Sequence, residues 1–297
     1  MVKKGFQKPP KPFVLMIKLL EKANRIITLG PEGTFSNQAA SLVGGNKPIS
    51  YTNTLPQIAL EVVADPSALG VMPIENSSSG IVGPAQDALV ENQVVIIAEA
   101  LVAVSYALVA NRPLHEITGF FCHEVAFNQC MNFTARHLPK ARVLYSQSNM
   151  DSAQQFLKEP KDSKIAAIVP RIRAQQDPAL SSKILEEKIE DYLNNSTRFA
   201  VIKVQEPTDQ PDFTKHKTSL LIESHEDRHG LLFEILREFH VFGLNLCRLE
   251  SRPSKIHPWQ YRFFIDFYNN HRSATCLEAL KSQKIDFKVL GTYSSLT

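Results

Sequence analysis

Three short polar phrases hold the residues of this 297-residue chain best suited to chemistry. Leu29-Gly30-Pro31-Glu32-Gly33-Thr34-Phe35-Ser36 sets two glycines and two hydroxyls between a predicted strand over 26–29 and a predicted helix through Ala39 and Ala40. Free backbone N–H groups and the positive end of a helix dipole attract an anion at such a junction. A tight turn capped by Thr34 or Ser36 has the same composition. Pro73-Ile74-Glu75-Asn76-Ser77-Ser78-Ser79-Gly80-Ile81-Val82 also runs from a strand end through small hydroxylated residues into a helix. Two converging turns of this kind suit a small molecule that carries two carboxylates. A third cluster, Asn194-Asn195-Ser196-Thr197-Arg198-Phe199, opens a further strand.

The elements around these phrases alternate short β-branched runs with helical stretches, which is an α/β rhythm. Strands are expected at 68–73, 94–98, 102–110, 119–122, 142–145, 165–169 and 198–204. Pro207 to Pro211 punctuates the chain and reads as a linker. Beyond it the pattern becomes strand 217–223, helix 230–242 closed by Gly243, strands 244–251 and 260–268, helix 273–283 and strand 287–291. In the fourth of these, Tyr261, Phe263, Ile265 and Phe267 alternate onto one face. The order is βαββαβ, a ferredoxin-like unit.

Composition narrows the function classes. The chain totals +3, but residues 1–25 set seven cations against Glu21 alone, so that segment holds +6 and the remaining 272 residues sum to −3. A nucleic-acid-coating body is excluded, and only the amino-terminal tail is basic. Cys122, Cys130, Cys247 and Cys276 are far apart and show neither disulfide framework nor zinc spacing, so reduced thiols in a cytoplasmic protein are expected, with no metal. The apolar run 13–20 is interrupted by Lys18 and is too short to span a bilayer. The expectation for it is a solvated tail leading into a short helix over 14–23, with no membrane partner and no nucleic acid.

The phrases GPEGTFS, PIENS and TRF, in this order and followed by Glu250-Ser251-Arg252-Pro253, resemble the prephenate dehydratase family with an ACT-type regulatory domain. The resemblance covers nearly the whole chain after residue 25. It implies a two-lobed catalytic domain like type II periplasmic-binding proteins over 25–205, with lobe one at 25–103 plus 190–205 and lobe two at 104–189. A basic tail (1–24), a linker (206–215) and the ACT domain (216–297) complete the expected chain. The implied reaction converts prephenate to phenylpyruvate with loss of carbon dioxide and water, without a cofactor. Twenty-five residues cannot hold the chorismate mutase domain that some relatives carry in front, so a monofunctional enzyme is expected.

By the same resemblance Thr197 assists the leaving hydroxyl, while Thr34, Ser36, Asn76, Ser77, Cys122, Gln129, Arg198 and Phe199 form the substrate site. Neutral donors suit a dianion, because an ionised carboxylate beside it would repel it. Glu75 is therefore expected to act as a structural acceptor rather than as the acid. Arg198 is either a carboxylate partner or a structural salt bridge. The family's Ser-His-Pro-Gln segment reads Cys122-His123-Glu124-Val125 here, and a thiol is a poorer donor than a hydroxyl. The alanine-rich helix of the family is replaced around Arg171 and Arg173.

In the carboxy-terminal unit Gly230, Leu231, Leu232, Asn245, Glu250, Ser251, Arg252 and Pro253 fall where relatives bind phenylalanine between subunits, which implies a feedback-inhibited homodimer or homotetramer. Leu231 replaces an alanine there. Glu250 and Arg252 could also form an ion pair with or without ligand. Arogenate dehydratase, a prephenate decarboxylase that does not aromatise, and a non-catalytic ligand-binding sensor remain alternatives. The intact Thr197 argues against the decarboxylase.

Overall fold

The computed structural model describes residues 20–223, 228–254 and 260–296, so most of the helix expected over 14–23 lies outside the described residues. Lobe one begins with β1 (Arg25–Leu29), α1 (Phe35–Gly44), β2 (Ile49–Thr52), α2 (Leu55–Ala64) and β3 (Ala68–Asn76). It continues through β4 (Gly80–Ile81), α3 (Gly83–Glu91) and β5 (Val94–Ala103). β1 pairs in parallel with both β2 and β3. Helix α1 starts where Thr34 accepts a hydrogen bond from the Asn37 N–H, and its buried face is Ser36, Ala39, Ala40 and Val43.

The stretch 102–110, expected as one strand, is broken. β5 ends at Ala103, and β6 (Tyr106–Val109) belongs to another sheet. The break is the crossing between lobes, where the Val104 N–H donates to Asn195 O and the Arg171 N–H donates to Ser105 O. Lobe two follows with β7 (Gly119–Cys122), α4 (Glu124–Gln129), α5 (Met131–His137), β8 (Arg142–Tyr145) and α6 (Asn149–Lys158). Then come β9 (Ile165–Pro170), α7 (Arg171–Gln176), α8 (Pro178–Ser181) and β10 (Ile184–Glu187). Its sheet runs β10-β6-β9-β7-β8. The chain returns to lobe one as β11 (Ser196–Val204), antiparallel to both β3 and β5.

The last unit is β12 (Lys217–Glu223), α9 (Leu231–Val241), β13 (Leu246–Pro253), β14 (Tyr261–Tyr268), α10 (Ser273–Ser282) and β15 (Phe287–Ser295). The order β13-β14-β12-β15 is ferredoxin-like. The final strand was expected to stop at residue 291. It runs on to Ser295 and pairs in parallel with β5 through Gly291↔Ile96 and Ser294↔Ala98, which joins this unit and lobe one into a continuous sheet. A Cβ on Gly291 would lie 2.3 Å from the Ile96 carbonyl oxygen, so only glycine permits the approach.

Packing follows from the two faces of that sheet. On one face Ala39, Ala40 and Val43 of α1 cover Val71, Val102 and Phe199. On the other, α2 and α3 close a core that takes in Leu221, Phe264, Leu290 and Tyr293 of the last unit. Lobe two and the outer face of the last unit have cores of their own. Among the described residues no helix is long and apolar enough to cross a membrane.

Candidate active site

β3 and β11 set Asn76 opposite Thr197 and Glu75 opposite Arg198. Directly opposed residues of an antiparallel pair share a face and neighbours along each strand alternate, so the two pairs point to opposite sides of the sheet. On the first side a network of neutral groups forms around Asn76, which is buried. Its Nδ2 donates to Thr197 Oγ1 at 3.0 Å, Asn195 Oδ1 at 2.8 Å and Ser196 O at 3.2 Å. Its Oδ1 accepts from the backbone N–H groups and hydroxyls of Ser78 and Ser79 at 2.8–3.0 Å. The Ser77 hydroxyl accepts from the Ser196 N–H at 2.9 Å, which ties the serine turn to β11.

Lobe two enters this network through Gln129 at the end of α4, whose Nε2 donates to Ser78 Oγ and Ser79 Oγ, each at 3.4 Å. Two buried polar atoms here have no hydrogen-bond partner, Gln129 Oε1 and Asn195 Nδ2. A cavity of about 620 Å³ lined by Ser77, Ser78 and residues 191–195 opens beside the cluster. Because Thr197 Oγ1 already accepts from Asn76, its own O–H is the group left to donate.

The glycine-rich phrase sits at the same junction of lobes. Gly33 has φ +86°, and a Cβ there would lie 2.9 Å from Met150 Sδ of α6 and 3.4 Å from Arg173 Cδ of α7. Gly33 therefore lets lobe two close against this loop. Thr34 Oγ1 donates to Pro31 O at 2.9 Å besides capping α1. Ser36 lies on the buried face of that helix, and its backbone carbonyl accepts from the buried Thr28 hydroxyl at 3.4 Å.

Three expected substrate contacts fall elsewhere. Arg198 is buried on the opposite face, with Nε 3.2 Å from Glu75 Oε2, Nη1 3.7 Å from Glu99 Oε2 and Nη2 bonded to Asp266. It is a structural salt bridge, the second of the two roles open to it from sequence, because strand alternation turns it away from Thr197. Phe199 packs in the core under α1. Cys122 is fully buried in lobe two, donates to the His123 carbonyl at 3.3 Å, and has its thiol pushed up to about 12 by burial. Asn195, Ser78 and Ser79 were missed as site residues. The signal for them was their density in the phrases already singled out.

In the last unit, Gly230 (φ +81°) begins α9, Leu231 is buried, and Leu232 is half-buried. Asn245 precedes β13, with Glu250 and Arg252 half-buried and Ser251 and Pro253 exposed along it. Arg252 does not pair with Glu250. Its Nη2 reaches Asp87 Oδ2 of α3 at 3.4 Å, and Arg262, directly opposite on β14, bonds Asp87 Oδ1. One carboxylate of lobe one thus relieves two arginines that face each other across a ladder. A Cβ on Gly83 would lie 2.6 Å from Arg252 Nη1, so α3 begins against this guanidinium.

Known proteins resemble this chain over most of its length. The family described as prephenate dehydratase matches residues 26–207. The bifunctional chorismate mutase/prephenate dehydratase of Stutzerimonas stutzeri is 35% identical over 280 residues, 92% of this chain and 74% of that protein. The prephenate dehydratase of Methanocaldococcus jannaschii is 33% identical over 271 residues, 89% of this chain and 95% of that one. The solved structure of a prephenate dehydratase from Arthrobacter aurescens in complex with L-Phe superimposes with a TM-score of 0.77 at 31% identity, covering 91% of this chain and 90% of that chain.

Proposed function

Because the chain belongs to the prephenate dehydratase family, we propose that it converts prephenate to phenylpyruvate at the junction of its two lobes, with Thr197 assisting the departing hydroxyl. In this reaction the ring carboxylate leaves as carbon dioxide and its bonding electrons enter the ring. The C–O bond breaks as the ring becomes aromatic, and the hydroxide departs with a proton as water. The protein has little covalent work to do. It must hold a dianion and stabilise charge on the leaving oxygen.

The observation that carries the reading is the 3.0 Å contact from Asn76 Nδ2 to Thr197 Oγ1. It fills an acceptor site on the threonine oxygen and turns the hydroxyl proton outward, toward the leaving group. A threonine is a weak acid, so the step is a polarised hydrogen bond with the proton completing the water. Asn76, Ser77, Thr34 and Gln129 hold the substrate with neutral donors, and the unpaired Asn195 Nδ2 adds another. Among the described residues no carboxylate hydrogen-bonds within the Asn76 cluster: Glu75 projects to the far face with Arg198, and Asp191, which lines the adjoining cavity, turns its carboxylate to the Asn132 N–H at 3.1 Å.

L-phenylalanine feeds back on the βαββαβ unit, through Gly230, Leu231, Leu232, Asn245, Glu250, Ser251, Arg252 and Pro253 at an interface between copies. The support is the ESRP motif and the L-Phe complex of the Arthrobacter aurescens relative. The protein acts as a cytoplasmic homodimer or homotetramer, and light scattering that returns a monomer at micromolar concentration refutes that assembly. The deciding experiment measures phenylpyruvate from prephenate and phenylalanine from arogenate side by side, with and without added phenylalanine. Turnover of prephenate that phenylalanine suppresses supports the reading. Turnover of arogenate alone, or of neither, overturns it.

A further inference from the structure

The TRF arginine has a position that neither substrate binding nor simple core packing accounts for. Its guanidinium receives carboxylates from three strands: Glu75 of β3, Glu99 of β5 and Asp266 of β14. Each of these strands neighbours the reactive segment of β11 or belongs to the other domain. Asp266 is wholly buried and also takes Arg248 Nε at 2.9 Å, Arg248 Nη2 at 2.8 Å and the Ser219 hydroxyl at 2.6 Å. Glu99 in turn holds Lys217 Nζ at 2.8 Å. Three cations (Arg198, Arg248, Lys217) thus balance three carboxylates (Glu75, Glu99, Asp266) in one cluster at the seam between lobe one and the last unit.

The β3–β11 ladder is irregular just where this cluster grips it. The β3–β11 register shifts between Arg198 and Phe199, and the residue opposite Phe199 is Pro73, which has no N–H to give. The Glu75–Arg198 pair lies immediately beside the Asn76–Thr197 pair, on the reverse face of the same two strands. A slip of β11 against β3 would therefore lengthen the 3.0 Å contact that aims the Thr197 hydroxyl. On its other edge β11 pairs with β5 without interruption from Ser196 to Val201, so the side-chain clamp reinforces the one edge, toward β3, where the ladder is irregular.

We infer that Arg198, clamped by Asp266 from the regulatory unit and by Glu75, is a positioning residue that holds Thr197 in reacting geometry. This inference rests on the reading of Thr197 as the hydroxyl that assists the leaving group. It makes the alignment of the reacting threonine depend on a carboxylate supplied by another domain.

The test uses Arg198→Lys, which keeps the buried charge but loses the three-way fork, and Glu75→Gln, whose side chain is 31% exposed and whose loss leaves the core intact. Arg198→Lys is expected to lower kcat about tenfold with KM within about twofold, and Glu75→Gln to lower it about threefold, because a displacement of under 1 Å at the reacting group costs this much. In a Thr197→Ala background Arg198→Lys is expected to cost nothing further. A purely structural arginine would multiply the two losses, and that result overturns the inference. Hydrogen exchange of residues 196–204 provides a readout independent of turnover. It should quicken about tenfold in Arg198→Lys while residues 119–145 stay unchanged. Unchanged exchange at 196–204 refutes the clamp even if the wild type proves inactive on prephenate, whereas inactivity of the wild type alone refutes only the assignment of the reaction.

Discussion

The two faces of the sheet at β3 and β11 differ sharply although one residue separates them along each strand. One face gathers Asn76, Asn195, Ser77, Ser78, Ser79, Gln129 and Thr197, all neutral and hydrogen-bonded to one another, with Gln129 Oε1 and Asn195 Nδ2 left over. The reverse gathers Arg198, Arg248, Lys217, Glu75, Glu99 and Asp266, all charged and paired. The neutral face suits a ligand that brings its own two negative charges and takes them into a site of low dielectric. The charged face must satisfy its ions internally, because all of them but Glu75 are buried away from water. A strand with period two is what allows both within a few ångströms.

Exchange of the two chemistries should fail in different ways. Removing the hydroxyl in Thr197→Ala should lower kcat by about 10²–10³-fold, within the usual range for a positioned proton donor, while the melting temperature moves little. Asp266→Ala should do the reverse first. Its loss leaves Arg198 and Arg248 facing each other in a buried site, at about 3–5 kcal/mol of stability, measured by urea unfolding. If Thr197→Ala unfolds the protein and Asp266→Ala does not, the division of labour between the faces is wrong. A smaller effect is expected from Asn76→Asp, which keeps the shape of the hub but puts a carboxylate on the neutral face. About tenfold or more in kcat/KM should be lost through repulsion of the dianion and loss of the Nδ2 donor to Thr197. An unchanged kcat/KM would mean that the substrate does not approach Asn76.

Acid should expose the charged face. Burial alone would raise the Asp266 pKa, but Arg248 and Arg198 beside it hold it well below the usual carboxylate range. A depressed folded-state pKa stabilises the fold above the unfolded-state value. The contribution is present above about pH 4–5 and disappears as pH falls below about 4 toward the folded-state value. Melting temperature against pH should therefore drop more steeply below pH 5 in the wild type than in Asp266→Asn, and parallel curves would remove Asp266 from the account.

How far these faces were legible in the sequence depends on what each residue needs. The polar phrases at 29–36, 73–82 and 194–199 stand out because small hydroxylated residues at strand ends are unusual in type and close in sequence, and the structure brings the last two together around Asn76. The βαββαβ order was legible from hydrophobic period and from glycines such as Gly243. The partner of Arg198 was not, since Asp266 lies 68 residues away and nothing local distinguishes an arginine aimed at a substrate from one aimed at the next domain. The extension of β15 to Ser295 was hidden for a similar reason. Its pairing with β5 is a long-range event, permitted by one glycine, in a segment whose own residues do not alternate strongly.

Cys122 gives the finest distinction between a residue in a site motif and a residue at the site. The family's serine is replaced here by a thiol, which suggested an altered substrate contact. Instead, the side chain is fully buried in the core of lobe two with Phe120, Ala126 and Cys130, its proton directed to the His123 carbonyl. With the thiol pushed up to about 12, no thiolate is on hand at neutral pH. Restoring the hydroxyl in Cys122→Ser should leave kcat and KM within about twofold, and should cost about 1 kcal/mol or less, because the hydroxyl can donate to the same carbonyl while giving up part of the apolar contact of sulfur. A rise in kcat/KM of tenfold in Cys122→Ser would show instead that position 122 reaches the substrate, and would move the boundary of the neutral face from Gln129 deeper into lobe two.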